Sequence, residues 1–507
     1  MQRRQFLKKF ALGAGGILAA DRLTDIARAA GEKRPNILWL IAEDLSPDLG
    51  CYGEKLVKTP NIDRLAAEGA RYTNACVTAP VCSATRSAFM TAMYQTSIGC
   101  HNHRSHRYDG YRLPEPVKVI TDYFRQAGYF TSNCAGLNFD KAGKTDFNFT
   151  ADAPFDGTDW RQRKEGQPFF SQVNFSPTHR PFKRDPVHPI DWRKVTLPPY
   201  YPDHPITRRD WADYLEYAQV LDKQVGEVLK RLEEDGLSDN TIVFFFGDHG
   251  RPHVRDKQFL YEGGIWIPLI IRWPGHIKPG TVVDDLVSAI DFAPTCMALA
   301  GIDVPAHMQG QAFIGPDAKK REHLFSARDR CDGTVDRIRC VRTKQFKYIR
   351  NFYPNRPYKQ FNLYKKFEYP VWSLLDVLFI EGKLTPQQQL FMASVRPEEE
   401  LYDLRSDPYE VNNLAEKPEH QETLKELRAV LVQWIKDMGH HVGYPTVAGD
   451  LGGIAEDPAI GVKAFEDVYK NYKAPLIERG LSANSSPAEY VKYWEKKLFP
   501  EGMPCLP

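Results

Sequence analysis

The sequence predicts an α/β fold with a large mixed, mostly parallel sheet flanked by helices, followed by a smaller C-terminal α+β domain built on an antiparallel sheet. Two nearly continuous apolar runs, residues 36–41 and 242–246, are typical of strands buried on both faces. Apolar residues at helical spacing over 211–232 precede the second run, and strands that alternate with helices indicate a parallel sheet. After about residue 330 the strands, at 338–341 and 346–349, are shorter with mixed faces, which favours an antiparallel sheet.

The composition of the 507-residue chain is that of a globular protein, with 42% apolar and 26% charged residues. The 67 Lys and Arg residues nearly balance 65 Asp and Glu, so the chain has no overall basic surface for nucleic acid. An anionic ligand would therefore need a local cluster of positive charge. No stretch approaches the length of a membrane-spanning helix, so we expect no stable membrane insertion. The nine Cys are scattered without a CxxC pair, and their odd number leaves at least one thiol over.

The N-terminus has the features of an export signal. Residues 3–8 read Arg-Arg-Gln-Phe-Leu-Lys, a weakly apolar run covers 10–20, and Ala-Arg-Ala at 27–29 offers a cleavage site. This order predicts a signal peptide over 1–29, recognised by the twin-arginine export machinery, and a periplasmic or extracellular bacterial protein. The alternative is a basic amphipathic helix. Folding before export, in a reducing compartment, also weakens the case for a disulfide framework.

The remaining elements follow in chain order. Thr59-Pro60 caps a helix that carries Leu65 and Ala66. The Pro- and aromatic-rich stretch 351–370 is predicted to be an irregular loop, and apolar spacing over 422–438 predicts a helix. The tail after residue 441 has Gly and Pro breaks and one helix near 487–497. These features divide the chain after its predicted signal peptide into a large N-terminal domain at 34–330, a C-terminal subdomain at 331–445 and an extension at 446–507.

Polar groups follow both buried strands, at the end of an open α/β sheet where ligands bind. Glu43 and Asp44 come after the first strand, and Asp248 and His249 after the second. Three carboxylates and an imidazole favour a divalent cation such as Ca²⁺, Mg²⁺ or Mn²⁺. The alternative is that these residues merely cap turns or helices.

A second cluster of reactive and charged residues lies at Cys82-Ser83-Ala84-Thr85-Arg86. Cys82 and Arg86 are four residues apart and would share one face of a helix that begins at the Cys. A nucleophile at a helix N-terminus beside an Arg suits an anion, because free N–H groups and the helix dipole favour negative charge. The alternative is a buried core thiol near an unrelated charge.

These residues resemble the type I sulfatases of the alkaline phosphatase superfamily, whose hallmark is C-x-P-x-R or C-x-A-x-R. Here the second form runs from Cys82 to Arg86. Further matches occur in family order, and the resemblance covers roughly residues 34–441. They are Asn36-Ile37-Leu38 leading to Glu43-Asp44, Pro60-Asn61-Ile62-Asp63, Gly247-Asp248-His249-Gly250, Tyr261-Glu262-Gly263-Gly264, Glu400-Leu401-Tyr402-Asp403-Leu404, Asp407-Pro408 and Asn413-Leu414-Ala415.

The resemblance implies a fold like that of alkaline phosphatase and a complete set of site residues. Cys82 would be oxidised by a formylglycine-generating maturation enzyme to 3-oxoalanine (formylglycine), whose hydrate is the nucleophile. Arg86 would hold that hydrate, Lys144 and Lys257 would bind the sulfate, and His179 would contact the ester oxygen. The implied metal ligands, with Ca²⁺ as the expected ion and Mg²⁺ or Mn²⁺ as alternatives, are Glu43, Asp44, Asp248, His249 and the modified Cys82.

The implied reaction has a physical logic. The cation and the basic residues supply the positive charge that a sulfate ester needs around its oxygens. One hydroxyl of the hydrate attacks sulfur while a general acid such as His179 protonates the leaving alcohol. The second hydroxyl then loses its proton and expels sulfate. The sequence departs from the family in one place: Asp146 replaces the His of the usual Gly-Lys-x-His segment, so either His179 alone protonates the leaving group or Asp146 contacts the substrate.

The resemblance is greatest to heparan N-sulfatases (N-sulfoglucosamine sulfohydrolases) and related polysaccharide sulfatases, which implies a sulfated saccharide with an ester or sulfamate group. His253 and Arg328 are further candidate substrate contacts, and an ion-pair network is an equal alternative for Arg328 and its neighbours Asp329 and Arg330. One alternative is a phosphatase or phosphonate monoester hydrolase of the same superfamily. The other is a non-catalytic glycan-binding protein on the same fold.

Overall fold

The structure, a computed structural model, describes residues 34–106, 109–438, 446–447, 453–454 and 458–504. The predicted signal peptide over 1–29 lies outside the described residues. Within the described ranges no helix is long and apolar enough to cross a membrane.

An eight-stranded mixed sheet forms the centre of the molecule. Its strands in chain order are β1 (Asn36–Ala42), β2 (Ala70–Cys76), β3 (Phe130–Ala135), β4 (Asn138–Ala142), β5 (Phe169–Phe175), β6 (Thr241–Gly247), β7 (Trp266–Arg272) and β8 (Thr281–Ser288). They lie in the order β4-β3-β5-β1-β6-β7-β2-β8. The neighbours β3–β5, β5–β1, β1–β6 and β2–β8 are parallel, and β3–β4, β6–β7 and β7–β2 are antiparallel. The expected mixed, mostly parallel sheet is therefore confirmed.

A second, antiparallel sheet follows in the chain. It contains β9 (Leu324–Arg328), β10 (Ile338–Arg342), β11 (Phe346–Asn351) and β12 (Glu399–Asp403), in the order β12-β11-β10-β9. Buried ion pairs join it to the first sheet: Glu262, which lies between β6 and β7 in the chain, is 3.0 Å from Arg342 Nε and 2.7 Å from Lys347 Nζ. A short pair of strands, β13 (Thr446–Val447) and β14 (Gly453–Ile454), lies beyond it.

Helices cover the faces of the central sheet and extend to the C-terminus. They are α1 (Pro60–Glu68), α2 (Cys82–Phe89), α3 (Ile120–Gln126), α4 (Pro205–Glu234), α5 (Glu262–Ile265), α6 (Phe292–Leu299), α7 (Leu363–Glu368), α8 (Pro370–Ile380), α9 (Pro386–Gln389), α10 (Gln421–Asp437), α11 (Pro458–Glu478) and α12 (Pro487–Leu498). Short 3₁₀ helices lie at Gly50–Tyr52, Trp160–Gln162, Trp192–Lys194, Ser238–Asn240, Ala289–Asp291, Leu390–Met392 and Pro418–His420.

Two sequence-based expectations are wrong. The stretch 351–370 is not wholly irregular, because α7 occupies Leu363–Glu368 and its N-cap residue Asn362 accepts a hydrogen bond from the Lys365 amide. An Asn at this position is a helix-start signal that could have been found. The tail holds two helices instead of one, since α11 precedes α12. Val491, Trp494 and Leu498 of α12 pack with Ile206 and Leu374, so the tail is joined to the body of the protein.

The core explains why the sequences of the central strands are almost continuously apolar. Every residue of β1, β5 and β6 is buried. Trp39 at the centre packs edge-on against Phe170 and Phe246, with ring centroids 5.1 and 5.4 Å apart. Such interlocked aromatic packing holds the strands in a single register, in which Ala42 of β1 lies opposite Gly247 of β6. The residues that follow these two strands are therefore placed side by side.

Candidate active site

The carboxyl ends of β1 and β6 bring four polar side chains together. Asp44 donates its backbone N–H to Asp248 Oδ1 over 2.9 Å, and its own Oδ1 lies 3.0 Å from His249 Nε2. Asp44, Asp248 and His249 are fully buried, and Glu43 is 8% exposed. The backbone of Asp44 has a φ of 51°, which turns the chain sharply at the strand end. Two chain segments about 200 residues apart thus form one acidic cluster.

Cys82 reaches this cluster from the N-terminus of α2. Its Sγ lies 3.1 Å from His249 Nε2 and 3.9 Å from Asp44 Oδ1. One turn further along α2, the Arg86 Nε donates to Asp248 Oδ2 over 3.0 Å and Nη1 donates to Asn174 Oδ1 over 2.6 Å. Its buried Nη2 makes no hydrogen bond within the described part of the chain. Nη2 lies 3.8 Å from Glu43 Oε1, which is too far for a hydrogen bond, so its N–H groups can still donate to an anion beside Cys82.

Two lysines add positive charge at the same place. Lys257 Nζ lies 2.6 Å from Asp44 Oδ2, and Lys144 Nζ lies 3.0 Å from Glu43 Oε2. Burial alone would lower the pKa of the Lys257 ammonium, but the carboxylate of Asp44 outweighs it and holds that pKa well above the ordinary value. Lys257 is therefore charged at neutral pH.

His179 presents one ring nitrogen to the cluster. Its Nδ1 donates to the carbonyl oxygen of Arg180 over 2.6 Å, because a carbonyl can only accept. Nε2 is left facing Asp44, whose Oδ2 lies 4.0 Å away. The pKa of His179 is lowered, mainly because the ring is buried. The Asp44 carboxylate raises that pKa and the Lys257 ammonium lowers it further.

The acidic cluster has the donor chemistry of a metal site. Ligand atoms of Asp44, Cys82 and His249 all lie within 4.8 Å of one another, as do those of Glu43, Asp44 and His179. The Nδ1 of His249 donates to the Gly250 carbonyl over 2.9 Å, which leaves Nε2 directed at the cluster as a ligand. Burial alone would lower the pKa of His249, but the Asp248 and Asp44 carboxylates raise it to about 10. The site thus favours a positive charge, and carboxylate ligands suit a hard divalent cation.

A cavity of about 180 Å³ opens onto Cys82, His179 and Lys257. Its walls also include residues that the sequence-based predictions did not name as site residues: His103, Arg104, Gln258, Asp332 and Tyr364, together with Val468, Asn471 and Tyr472 of α11. His103 belongs to a run of three closely spaced histidines, His101, His103 and His106, which is visible in the sequence. Gln258 directly follows the predicted site residue Lys257, whereas Asp332, Tyr364 and the residues of α11 enter the cavity from distant segments and carried no local signal.

A groove of about 810 Å³ adjoins this cavity and shares Arg104 with it. Lys144 and Asp146 lie in its lining. Asp146 has a φ of 47°, and its carboxylate binds Arg104 through contacts of 3.3 and 3.4 Å and lies 3.8 Å from Lys144 Nζ. Asp146 therefore pairs with two basic side chains, Arg104 and Lys144.

Two of the proposed substrate contacts lie elsewhere. His253 is buried, stacks on Trp211 with centroids 4.5 Å apart and faces Asp210 at 3.4 Å. Arg328 is buried and binds Asp336 over 3.0 Å. Neither residue lines the cavity or the groove.

The eight cysteines within the described residues are all free thiols. Cys76 and Cys296, for example, are buried, and burial raises the pKa of each thiol to about 12. A buried, protonated thiol behaves as a small apolar side chain. Cys82 differs from these because it faces a cavity and lies beside an imidazole and carboxylates.

Comparison with known proteins identifies the family. The sulfatase family model matches residues 35–302, and the model for the C-terminal region of N-sulphoglucosamine sulphohydrolase matches 247–371. An ulvan-active sulfatase of Formosa agariphila is 36% identical over 470 residues, covering 82% of this chain and 76% of the relative. Human N-sulphoglucosamine sulphohydrolase is 25% identical, covering 79% of this chain and 89% of the human protein.

Solved structures have the same fold. One, described as a complex with its substrate D-glucosamine-2-N,6-O-disulfate, superposes with a TM-score of 0.60 at 19% identity and covers 80% of this chain and 98% of the other. The matched sulfatase model spans more than half of the chain, and the Formosa agariphila relative is similar along most of its length. This chain therefore belongs to the sulfatase family, a group of sulfuric ester hydrolases in the alkaline phosphatase superfamily.

Proposed function

We propose that the protein releases sulfate from sulfated glycans through a formylglycine made from Cys82, assisted by a divalent cation. The observation that carries this proposal is the position of Cys82. Its Sγ contacts His249 beside Asp44, and it faces the cavity that Lys257 and His179 also line. A nucleophile, an acidic metal cluster and basic sulfate ligands thus meet at one point, as the reaction requires.

Each side chain has a defined part in this reaction. Lys257 and the Nη2 group of Arg86, which makes no hydrogen bond within the described residues, bind the sulfate oxygens, and Lys144 adds charge from the groove side. The formylglycine hydrate would supply the attacking oxygen and, by losing a second proton, the means of expelling sulfate. The neutral ring carries its proton on Nδ1, which is fixed on a backbone carbonyl, so His179 would act as the acid in its imidazolium form, which the Asp44 carboxylate favours. In that form Nε2 would give its proton to the leaving oxygen.

Asp146 does not act as the general acid in this proposal. Its carboxylate lies against Arg104 and Lys144, and two basic neighbours stabilise the ionised form. An ionised carboxylate has no proton to give. Asp146 instead orients these two basic residues at the boundary between the cavity and the groove.

Sulfatases generally use a divalent metal ion. In this protein Asp44, Asp248 and His249 would hold it, with Glu43 and the modified Cys82 completing the set. Carboxylate oxygens predominate, so we propose Ca²⁺ as the ion. When bound, the cation would neutralise the acidic cluster and polarise the reacting oxygens.

The substrate we propose is a sulfated polysaccharide of the ulvan class. The support is the 36% identical relative named as an ulvan-active sulfatase. Polysaccharides occur outside cells, which agrees with the signal peptide predicted at 1–29. The protein would then be exported by the twin-arginine machinery to the periplasm or beyond, after a maturation enzyme has modified Cys82.

Mass spectrometry and substrate panels test this function. We expect the Cys82 peptide of the exported protein to be about 18 Da lighter than the thiol form, and sulfate to be released from ulvan oligosaccharides. Cys82→Ser, shown to be unmodified, should release none. An unmodified thiol with glycan binding but no turnover would support a binding protein instead. A kcat/KM on phosphate or phosphonate esters that exceeds that on sulfate esters would support the phosphatase alternative.

A further inference from the structure

Helix α11 brings three residues into the cavity that contains Cys82. Val468, Asn471 and Tyr472 lie in its wall together with Lys257. The helix comes from the predicted C-terminal extension, beyond residues 302 and 371 where the two family matches end. The wall that it forms is thus supplied by a part of the chain that the family models do not cover.

Contacts with α7 hold α11 against the rest of the protein. The ring of Tyr472 packs on Phe367 of α7 with centroids 4.6 Å apart. At the C-terminal end of the helix, Arg479 donates to the Phe367 carbonyl over 3.0 Å and to Glu368 Oε1 over 3.2 Å. Buried Leu476 packs in the same apolar cluster as Phe367. Because α7 also contributes Tyr364 to the cavity, the two helices form one continuous wall.

The chemistry of this wall suits an uncharged part of the substrate. Asn471 offers an amide and Tyr472 an aromatic face with a hydroxyl, whereas the charged sulfate ligands lie around Cys82. Burial raises the pKa of the Tyr472 hydroxyl, so it remains a neutral hydrogen-bond donor. Amide and phenol groups hydrogen-bond sugar hydroxyls, and an aromatic face packs on the C–H face of a sugar ring.

The size of the cavity limits what can enter it. Its volume of about 180 Å³ lies below the roughly 300–1,000 Å³ of sites for drug-sized ligands. A sulfate group with one sugar suits such a space better than an internal segment of a glycan chain does. The adjoining groove, which shares Arg104 with the cavity, gives the rest of the chain a way out on one side.

We propose that Asn471 and Tyr472 are specificity-determining residues, which contact the sugar that carries the sulfate and restrict the cavity to a sugar at a chain end. This inference rests on the proposed function, since it assumes a sulfated glycan in the cavity. It adds that a helix outside the family-matched region selects the sugar, while the sulfate is bound by residues that surround Cys82.

The test uses full-length, formylglycine-containing protein and the variants Asn471→Ala and Tyr472→Ala, with Lys473→Ala as the matched control on an exposed part of the same helix. We expect kcat/KM on ulvan oligosaccharides to fall by about tenfold or more in the first two variants, the loss of one or two hydrogen bonds or a packed ring. The inhibition constant of inorganic sulfate should stay unchanged, because the sulfate ligands are intact. The control should match the wild type in both measurements.

Product analysis tests the chain-end restriction. Wild-type protein should remove sulfate from the terminal sugar of an oligosaccharide and leave internal sulfates in place. The inference is overturned if internal sulfates are released equally fast, if both variants keep wild-type kcat/KM, or if sulfate inhibition weakens in parallel with kcat/KM. Asn471 is exposed, so its variant carries the test even if Tyr472→Ala fails to fold. An inactive wild-type protein with verified formylglycine would refute the proposed function itself, which is a separate outcome.

Discussion

Replacing Lys257 by Met removes a buried ammonium group but keeps most of the length and apolar character of the side chain. In the structure this ammonium has two potential roles. It lies 2.6 Å from Asp44 Oδ2, and it faces the cavity that also contains Cys82. The variant separates a lysine that binds sulfate from a lysine that only neutralises Asp44.

The expected loss of activity follows from the first role. Removing one preorganised donor from developing negative charge costs about 10²–10³ in kcat, or about 3–4 kcal/mol. The attraction to Asp44 is also strong, on the order of 6 kcal/mol at an effective dielectric constant of about 20, but desolvation of both groups offsets most of it. Removing the ammonium leaves the buried Asp44 carboxylate without its partner, so we expect Lys257→Met to lose about 3–5 kcal/mol of stability. Per folded molecule it should lose about 10²–10³ in kcat on a sulfate ester.

The assay is steady-state sulfate release, normalised to folded protein measured by thermal unfolding. Lys347→Met is the matched control, because Lys347 is a buried lysine with carboxylates at 2.7 and 2.8 Å but lies outside the cavity lining. This control should lose stability by about 3–5 kcal/mol and keep its activity per folded molecule. If Lys257→Met retained more than about a tenth of wild-type kcat, the assignment of Lys257 as a sulfate ligand would be wrong.

Further predictions concern the metal, the choice of general acid between Asp146 and His179, and the buried ion pair of Arg328. Dialysis against a chelator should abolish sulfate release, and adding back Ca²⁺ should restore it; activity that survives verified metal removal would contradict the assignment of the acidic cluster as a metal site. Asp146→Asn should lower kcat/KM by less than His179→Ala, for which general acid catalysis predicts a loss of about 10²–10⁴; the reverse order would assign the proton to Asp146. Arg328→Met should cost about 3 kcal/mol of stability, the lower end for breaking a buried ion pair, because Arg396 still binds Asp336. Measured by thermal unfolding beside activity, a stable but inactive Arg328→Met would return Arg328 to the substrate-binding residues.

Some parts of the site could be predicted because they depend on local pattern. Two buried apolar runs located β1 and β6, and their shared register places Asp44 beside Asp248. The four-residue spacing from Cys82 placed Arg86 one turn along α2, where its guanidinium reaches Asp248. In these cases the periodicity of strands and helices fixes the direction in which each side chain points. The spacing of residues in the chain is then sufficient to predict which side chains lie together.

Other parts could not be predicted because they depend on distant segments. His253 and Arg328 looked like substrate contacts, yet each lies buried against an acid that the sequence does not mark as its partner. A charged side chain in a sequence looks the same whether it will face a cavity or a buried carboxylate. Only the packing around it decides which of the two lowers the free energy.

The sequence by itself determined the fold class, the family and the residues that meet at the ends of β1 and β6, since all of these are encoded in short motifs and local periodicity. The tertiary structure decided which groups surround the cavity beyond these motifs. It pairs Asp146 with Arg104 across 42 positions of the chain and places Tyr472 of α11 in the lining of the cavity that Cys82 faces. Such contacts depend on how large apolar surfaces dock, and that is a property of the whole folded chain and not of any single segment.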